Sequence, residues 1–183
     1  MNPGLFVCYN SFGDNMERIE KQMRFILEID KEKQIQRKTL QSNGKNFEDD
    51  AQHAWHMAIM TLLLSEYANE EIDVLKTISM LLIHDLVEID AGDTYAYDDQ
   101  GLQTQSKREA LAANRIFNLL PEDQAKKMFD LWNEFEKRQT VEAKFARVMD
   151  NFQPVMLNAA TDGRMWVENG VHRTDFKKKR KDS

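Results

Sequence analysis

Residues 81–99 read LLIHDLVEIDAGDTYAYDD, and this stretch places ionisable side chains directly after apolar ones. His84, Asp85 and Glu88 follow three apolar residues towards the end of a predicted helix. Because each helical residue turns by about 100°, these three side chains fall within an arc of roughly 100° on one side of the helix. That arc begins inside the protein, so the sequence predicts a buried group of acids beside a histidine.

Acids buried in this way need partners, because an unpaired ionised carboxylate inside a protein costs several kcal/mol. The chain supplies no Arg or Lys between Lys76 and Lys107 that could neutralise them locally. A bound metal ion is therefore the simplest explanation of the stretch. The alternative is a helix end that emerges into water, where the acids are solvated.

The composition is that of an ordinary globular protein. Of the 183 residues, 42% are hydrophobic and 31% are charged, and the formal net charge is −6. An acidic surface argues against a broad basic face, so we expect no nucleic-acid polymer as a partner.

The sequence contains no obvious membrane or secretion signal. It has no apolar run of about 18 residues, so we expect no transmembrane helix and no membrane partner. The first residues, MNPGLFVCYNSFGD, lack the basic segment that opens a signal peptide. Cys8 is the single cysteine, so no internal disulfide requires an oxidising compartment. We therefore expect a cytoplasmic location.

The low content of helix-breaking residues, seven Gly and three Pro, predicts an all-α fold without strands or internal repeats. We expect a single domain over residues 1–183. Its helical core spans about residues 16–160, and a C-terminal tail, residues 161–183, has a disordered basic end. The stretch TLQSNGKNFEDD is predicted to be a loop with an Asn-Gly turn, and residues 93–103 a second loop. The predicted helices span about residues 16–34, 50–67, 69–91, 105–119, 122–136 and 140–160.

The second predicted helix has no charged residue from Ala54 to Ser65, AWHMAIMTLLLS, which predicts burial on all sides. His53 and His56 lie at its start, three residues apart and on nearly one face. A buried histidine more often donates to a backbone carbonyl than binds a metal. Taken alone, neither histidine identifies a site.

A further buried acid is predicted in the last long helix, VEAKFARVMDNFQPVMLNAA. On a helical wheel, Asp150 lies with Ala143, Ala146 and Leu157 on an apolar wall, away from the polar stripe. This carboxylate also points into packed protein and needs a partner.

Three predicted helices thus each offer an inward metal-ligand side chain. Two imidazoles and two carboxylates suit Mn, Co, Ni, Fe or Zn better than Ca, with Mg as a further candidate. Four protein ligands on an octahedral ion leave positions for water and substrate. The candidate ligands of one divalent metal per chain are His53, His84, Asp85 and Asp150.

This order of residues resembles the HD-domain metal-dependent phosphohydrolase superfamily, in which a first His, an adjacent His-Asp pair and a distant Asp lie on helices. HDLVEIDAGDTYAYD is similar to the HDxxE…GD segment of the branch that contains 5′-nucleotidase-like HD hydrolases. EDDAQHAWHMAIM and ARVMDNFQPVMLN are similar to that branch's first-ligand and last-ligand segments. The resemblance covers about residues 20–160 and implies a helical HD-domain bundle with the four ligands named above.

The resemblance also implies roles for residues beside the metal. Glu88 and Asp93 match acids implicated in proton transfer in nucleotidase members. Arg37, in QIQRKTL, matches a phosphate-binding Arg, and His56 matches a histidine that is not a ligand. Nucleotidases often carry an aromatic residue after that Arg, where this chain has Lys38.

The implied activity is metal-dependent hydrolysis of a small phosphate ester. A (deoxy)nucleoside 5′-monophosphate is the first choice of substrate. A phosphodiesterase acting on a cyclic or dinucleotide is an alternative, as is a non-catalytic metal- or nucleotide-binding HD module. The presence of Glu88 and Asp93 favours an enzyme. A diiron oxygenase would need further histidine ligands, for which only His56 and His172 remain.

Two segments have open interpretations. MFDLWNEFEKR, residues 128–138, is rich in aromatic residues and fits either core packing or a partner interface. Members of this branch commonly pair, so we expect a homodimer. The terminal KKKRK, residues 177–181, fits either a solvated tail or a segment that binds anions.

Overall fold

The structure is a computed structural model that describes residues 3–95 and 99–172, with the side chains of residues 3–14 and of residue 99 left undescribed. The predicted all-α fold is confirmed, since helices make up most of the described chain. In order, the helices are α1 (Pro3–Ile29), α2 (Asp50–Leu64), α3 (Val74–Ile83), α4 (Glu88–Ala91), α5 (Asp99–Phe117), α6 (Glu122–Lys137), α7 (Val141–Ala160) and α8 (Arg164–Glu168). Short 3₁₀ turns occupy Asp30–Gln34, Ser65–Tyr67 and His84–Val87.

A small β-hairpin joins α1 to α2, and the prediction of a chain without strands is wrong here. Strand β1 (Gln36–Leu40) pairs antiparallel with β2 (Phe47–Asp49). The predicted Asn-Gly turn is confirmed, with Gly44 at a φ of +66°. Strands of five and three residues are too short to show a convincing alternating pattern. The hairpin matters because β1 carries Arg37 and β2 carries Glu48 towards the centre of the molecule.

Several helix boundaries differ from those predicted, and a capping interaction explains one of them. Helix α3 begins after Asp73, whose carboxylate accepts a hydrogen bond from the backbone N–H of Lys76 at 3.0 Å, so the predicted cap at Asn69 is wrong. The predicted cap of α7 is confirmed, because Thr140 Oγ1 accepts from the backbone N–H of Ala143 at 3.2 Å. The predicted helix over residues 69–91 is divided by the 3₁₀ turn His84–Val87. Such a turn within a helix often marks a functional segment.

Three predictions for loops and ends also change. The loop predicted over residues 93–103 is shorter, because α5 already begins at Asp99. The predicted tail contains α8, which the sequence pattern did not indicate. Its basic end, KKKRK, lies outside the described residues, as does Asp98.

The core consists of two apolar clusters on either side of α3 and the turn that follows it. One lies among α5, α6 and the His84–Val87 turn, and includes Phe117 and Trp132. The other lies among α2, α3, α6 and α7, and includes Met57, Met80 and Phe135. Trp132 and Phe135 are buried, so core packing is the confirmed interpretation of the aromatic segment at residues 128–138.

Helix α2 is not buried on all sides, contrary to the prediction. His53, Met57 and Thr61 face the interior, with no exposed side-chain surface or almost none. Trp55 and Leu63, on the other side, are 63% and 66% exposed. The lack of charged residues in α2 therefore reflects an apolar outer face as well as a buried inner one.

None of the helices in the described parts of the chain has the length and apolar character required to cross a membrane.

Removing the Phe117 side chain is expected to destabilise the fold strongly. Phe117 is fully buried and packs edge-to-face against Phe129, with ring centroids 5.2 Å apart. We expect Phe117→Ala to lower the free energy of unfolding by about 3–5 kcal/mol, measured by chemical denaturation. Leu111 lies on the same helix but is 65% exposed, so Leu111→Ala should change the free energy of unfolding by about 0.5 kcal/mol or less. Equal effects of the two substitutions would contradict this description of the core.

Candidate metal centre

Three of the predicted ligands converge from three different elements. His53 comes from the first turn of α2, His84 from the end of α3 and Asp150 from the middle of α7. One ligand atom of each lies within 4.8 Å of the other two. Nε2 of His53 is 3.2 Å from Oδ1 of Asp150, and Nε2 of His84 is 3.8 Å from the same oxygen. These donors fit a divalent transition-metal ion in type and spacing.

His84 supplies the strongest indication that the group can hold an ion. Its Nδ1 donates to the backbone carbonyl of Leu81 at 2.9 Å, which leaves a lone pair on Nε2 when the ring is neutral. Nε2 lies 3.0 Å from Oδ1 of Asp85, but it is buried and makes no hydrogen bond of acceptable geometry. A buried nitrogen without a partner, aimed at two carboxylates, is suited to a metal ion.

Asp85 is close to the group, but it has a partner that the sequence argument overlooked. Its Oδ2 accepts a hydrogen bond from Nη1 of Arg37 at 2.9 Å. Arg37 is distant along the chain and reaches Asp85 from the β-hairpin, so the absence of a nearby Arg or Lys did not leave this acid unpaired. The role of Asp85 as a fourth metal ligand stays a prediction. Its other oxygen, Oδ1, is the one that faces His84.

The same Nη1 of Arg37 donates to Asp50 at 2.9 Å, and the side chain of Asp50 is fully buried. Nε of Arg37 is buried and has no hydrogen-bond partner. Burial would lower the pKa of Arg37, but the charges of Asp85 and Asp50 outweigh it and raise that pKa. The guanidinium is therefore a fixed positive charge beside the candidate ligands, and its Nε–H donor has no acceptor.

Asp150 points inward, as the helical wheel predicts, and it too has a cationic neighbour. Its Oδ2 accepts from Nη1 of Arg147 at 2.8 Å, and its Oδ1 faces His53. Burial would raise the pKa of Asp150, but His53, His84 and Arg147 hold it well below its usual range. This carboxylate is ionised and available as a ligand at neutral pH.

The two histidines balance the charge of the neighbouring acids. Burial works to lower the pKa of His84, yet Asp85 and Asp150 raise it well above its usual value. Burial and Arg37 oppose protonation of His53, but Asp150 and Glu48 raise its pKa as well. The neighbouring acids thus favour a second proton on each ring, and wherever that proton is present a metal would have to displace it.

Glu88 and Asp93, the predicted proton-transfer residues, have a different electrostatic character from the ligands. Burial, followed by the charges of Asp85 and Asp50, raises the pKa of Glu88 to about 12. Burial also raises the pKa of Asp93. Oε2 of Glu88 is buried without a hydrogen-bond partner. Glu88 is thus held as a neutral carboxylic acid, which can donate a proton.

Several polar residues of the site were missed by sequence reasoning. Asp50 pairs with Arg37, and Gln153 contacts His53 Nδ1 at 2.9 Å. Glu32 is buried nearby, and burial with the charges of Asp85 and Asp50 raises its pKa to about 8. Two signals were available in the sequence. Asp50 ends an acidic run three residues before the first histidine, and Gln153 lies one helical turn after Asp150.

A comparison with family models identifies the fold family. A model described as HD domain matches residues 29–183, which is most of the chain. The chain belongs to the HD domain family. The predicted resemblance is confirmed at this level.

Two solved structures are similar to this chain. The crystal structure of a predicted metal-dependent phosphohydrolase from Magnetospirillum magnetotacticum MS-1 superposes with a TM-score of 0.84 at 45% sequence identity, covering 89% of this chain and 82% of that one. A conserved hypothetical protein from Pyrococcus furiosus superposes with a TM-score of 0.56 at 28% identity, covering 70% and 74%.

Curated relatives carry the description 5′-deoxynucleotidase HDDC2. The protein from Bos taurus is 30% identical over 115 residues, covering 62% of this HD domain chain and 54% of the relative. The protein from Dictyostelium discoideum is 32% identical over 114 residues, covering 60% of each chain. The chain spans just over half the length of the curated relatives it matches.

Metal binding at this centre is expected to release protons and to strengthen as pH rises. His53 and His84 have raised pKa values, so below those values each must lose a proton before its Nε2 can bind an ion. We expect Co²⁺ affinity to rise by about tenfold per pH unit for each proton displaced.

Isothermal titration of the metal-free protein in buffers of different ionisation enthalpy measures the number of protons released. The matched control is His172→Ala, which leaves the three converging ligands in place and should release the same number. An affinity independent of pH, with no proton release, would contradict the pairing of these histidines with Asp85 and Asp150.

Proposed function

We propose that this HD-domain protein is a metal-dependent phosphohydrolase that cleaves the phosphate monoester of (deoxy)nucleoside 5′-monophosphates. The observation that carries the proposal is the convergence of His53, His84 and Asp150 within 4.8 Å of one another, beside the partly buried guanidinium of Arg37. The description 5′-deoxynucleotidase carried by relatives supports the choice of substrate, and the description metal-dependent phosphohydrolase carried by a structural neighbour supports the reaction type.

In this proposal the ion is held by His53, His84, Asp85 and Asp150. It is one divalent ion per chain, with Mn, Co, Ni, Fe or Zn as the candidates and Mg as a further one, because mixed nitrogen and oxygen ligands suit these metals. When bound, such an ion polarises a phosphoryl oxygen and lowers the pKa of water. The remaining roles fall to side chains of this chain.

Arg37 is the proposed phosphate-binding residue. Its Nη1 already bonds to Asp50 and Asp85, whereas its Nε has no partner. The guanidinium is fixed in position by those two acids, so it loses little side-chain entropy when it binds an anion. Donor groups left over on a fixed guanidinium suit the oxygens of a phosphate.

Glu88 and Asp93 are the proposed proton-transfer residues. Cleavage of the ester leaves an alkoxide oxygen on the nucleoside, which must be protonated. With a pKa raised to about 12, Glu88 holds a proton that it can donate to that oxygen. Asp93 follows the left-handed Gly92 (φ +74°) at the end of α4, which turns the chain there, and its raised pKa also suits proton exchange.

The residue after Arg37 bears on whether the site prefers deoxynucleotides. Lys38 occupies the position where related nucleotidases often have an aromatic residue, and its ammonium lies 4.8 Å from the centre of the Tyr95 ring. We propose that Lys38 and Tyr95 together border the nucleoside side of the site. A cytoplasmic location and a single domain with its core at residues 16–160 stay predictions.

Replacing Asp85 is expected to remove hydrolysis. Asp85→Asn keeps the size of the side chain but loses the charge, so we expect phosphate release from nucleoside 5′-monophosphates with Mn²⁺ or Co²⁺ to fall at least about 100-fold, since even outer-shell changes at metal sites cost 10–100-fold. Phosphate release is measured colorimetrically with ribo- and deoxynucleotides in parallel.

The matched control for this measurement is Asp90→Asn. Asp90 is an exposed acid on the neighbouring turn, where it pairs with Arg115, so its loss should leave hydrolysis unchanged. An Asp85→Asn variant with full activity would refute the proposed function. Binding of nucleotides without any product release would instead favour a non-catalytic module.

A homodimer is the proposed assembly, formed through the outer faces of α2 and α7. Trp55 and Leu63 on α2 are exposed, as are Val148 and Phe152 on α7. The last two help to line a groove of about 390 Å³ that also includes Tyr67. Exposed apolar surface concentrated on two packed helices is typical of a protein interface, and pairing of like subunits is the commonest assembly.

Placing a charge on this face is expected to separate the dimer. Leu63→Glu should convert a protein of twice the chain mass into a monomer, because an unpaired carboxylate cannot be buried in an apolar interface. Multi-angle light scattering over a range of concentrations measures the mass. The matched control, Leu111→Glu, introduces the same charge at an exposed position of α5 and should stay dimeric. A monomeric wild-type protein would remove this proposal.

A further inference from the structure

Gln153 lies between His53 and Glu48 in the interior of the protein. It is fully buried, and Oε1 of its amide is 2.9 Å from Nδ1 of His53. Its Nε2 donates to Oε1 of Glu48 at 2.5 Å and lies 3.1 Å from Nδ1 of His56. The amide therefore uses both of its ends, and each end contacts a different kind of group.

The chemistry of Glu48 fixes the direction of the hydrogen bonds that join Glu48, Gln153 and His53. The carboxylate of Glu48 accepts hydrogen bonds and cannot donate them, so the NH₂ group of Gln153 must face it. The carbonyl oxygen of Gln153 then faces His53 and accepts from Nδ1–H. With its proton on Nδ1, His53 presents the lone pair of Nε2 to the metal centre.

The second histidine of the centre has an equivalent arrangement built from the backbone. Nδ1 of His84 donates to the carbonyl oxygen of Leu81 at 2.9 Å. Each imidazole thus has an oxygen acceptor on Nδ1 and directs Nε2 towards Asp150. The acceptor for His84 belongs to the helix itself, whereas the acceptor for His53 is a side chain whose own orientation depends on Glu48.

Gln153 and Glu48 reach His53 from two different elements of the fold. Gln153 follows Asp150 by three residues on α7, so a single helix supplies both a ligand and the partner of another ligand. Glu48 lies on β2, five residues before His53, and its side chain is almost completely buried. Its other oxygen, Oε2, is 3.6 Å from Nδ1 of His53, too far for a hydrogen bond.

The geometry points to Glu48 and Gln153 as a positioning pair that holds His53 in the tautomer and orientation required to bind a divalent metal ion. Glu48 sets the orientation of the Gln153 amide, and that amide sets the tautomer and orientation of the His53 ring. This inference rests on the metal-dependent function proposed above and adds two residues that do not themselves contact the metal or the substrate. Their effect should appear in the affinity for the metal alone.

The first test removes the amide. Gln153→Leu keeps most of the volume but removes the acceptor that orients Nδ1 of His53, so we expect Co²⁺ affinity to fall about 10–100-fold. Affinity is measured by competition with a coloured chelator, and the visible absorption of bound Co²⁺ reports whether the nitrogen ligands change. Thermal unfolding of the metal-free variant records the loss of stability separately.

The matched control is Asn158→Leu. Asn158 is another buried amide on the same helix, but it donates to the backbone carbonyl of Pro154 rather than to the centre. This variant should lose stability and keep its Co²⁺ affinity within about twofold of the wild type. Equal Co²⁺ affinities of folded Gln153→Leu and Asn158→Leu would overturn the inference.

A second test exchanges the donor and the acceptor. In Glu48→Gln combined with Gln153→Glu, the new carboxylate at position 153 can accept from Nδ1–H of His53, and the new amide at position 48 can donate to that carboxylate. We expect Gln153→Glu alone to weaken Co²⁺ binding, because it brings two carboxylates together, and the double variant to restore it to within a few-fold of the wild type.

The possible outcomes separate this inference from the proposed function. If the wild-type protein binds no Co²⁺, the metal-dependent function fails and the positioning pair with it. If the wild type binds Co²⁺ but the double variant binds no better than Gln153→Glu, only the positioning pair is refuted. The comparison of the double variant with Gln153→Glu also tests the positioning pair if Gln153→Leu does not fold.

Discussion

The guanidinium of Arg37 lies between the carboxylates of Asp50 and Asp85, 2.9 Å from each. Without this cation, the interior would hold those acids close to Glu88 with only the histidines to offset their charge, and breaking a buried ion pair costs several kcal/mol. The β-hairpin places both partners: β1 carries Arg37 to these acids, and β2 carries Glu48 to the opposite side of His53. The helices provide the ligands, and the hairpin provides the charges and hydrogen bonds that keep them in place.

The same balance of charges gives two chemically similar acids, Asp85 and Glu88, different protonation states. Arg37 and His84 hold the pKa of Asp85 below its usual range against the effect of burial, so it remains an anion. Glu88 is buried close to those anions and forms no ion pair within the described residues, and its pKa rises to about 12. Two acids three residues apart are therefore separated into an ionised carboxylate and a neutral carboxylic acid, because their surroundings shift their pKa values in opposite directions.

Much of this site could be predicted from the sequence because its ligands lie on strongly patterned helices. The inward direction of Asp150 followed from its place among Ala143 and Ala146, and the structure brings His53, His84 and Asp150 together as expected. The partners of these residues could not be predicted in the same way. Arg37 and Glu48 lie on strands too short to produce a period, and their contacts with residues 85 and 153 span large separations along the chain.

Local pattern also failed where packing depends on the whole molecule. An uncharged segment predicted that α2 is buried all round, but the fold covers only one of its sides and leaves Trp55 and Leu63 exposed. The aromatic segment in α6 had two interpretations that sequence alone could not separate, and the packing of Trp132 and Phe135 decides for the core. Hydrophobicity indicates that a side chain will be covered, but it does not say by which neighbour.

The central claim is that His53, His84 and Asp150 form a metal site, and anomalous X-ray diffraction from crystals grown with Co²⁺ tests it most directly. The account predicts one strong peak per chain, about 2.0–2.2 Å from Nε2 of each histidine and from an oxygen of Asp150, with Asp85 as the fourth protein ligand. A centre without a peak, in which His53 still contacts Asp150 directly, would show that the cluster is a buried ion-pair network and would contradict the account.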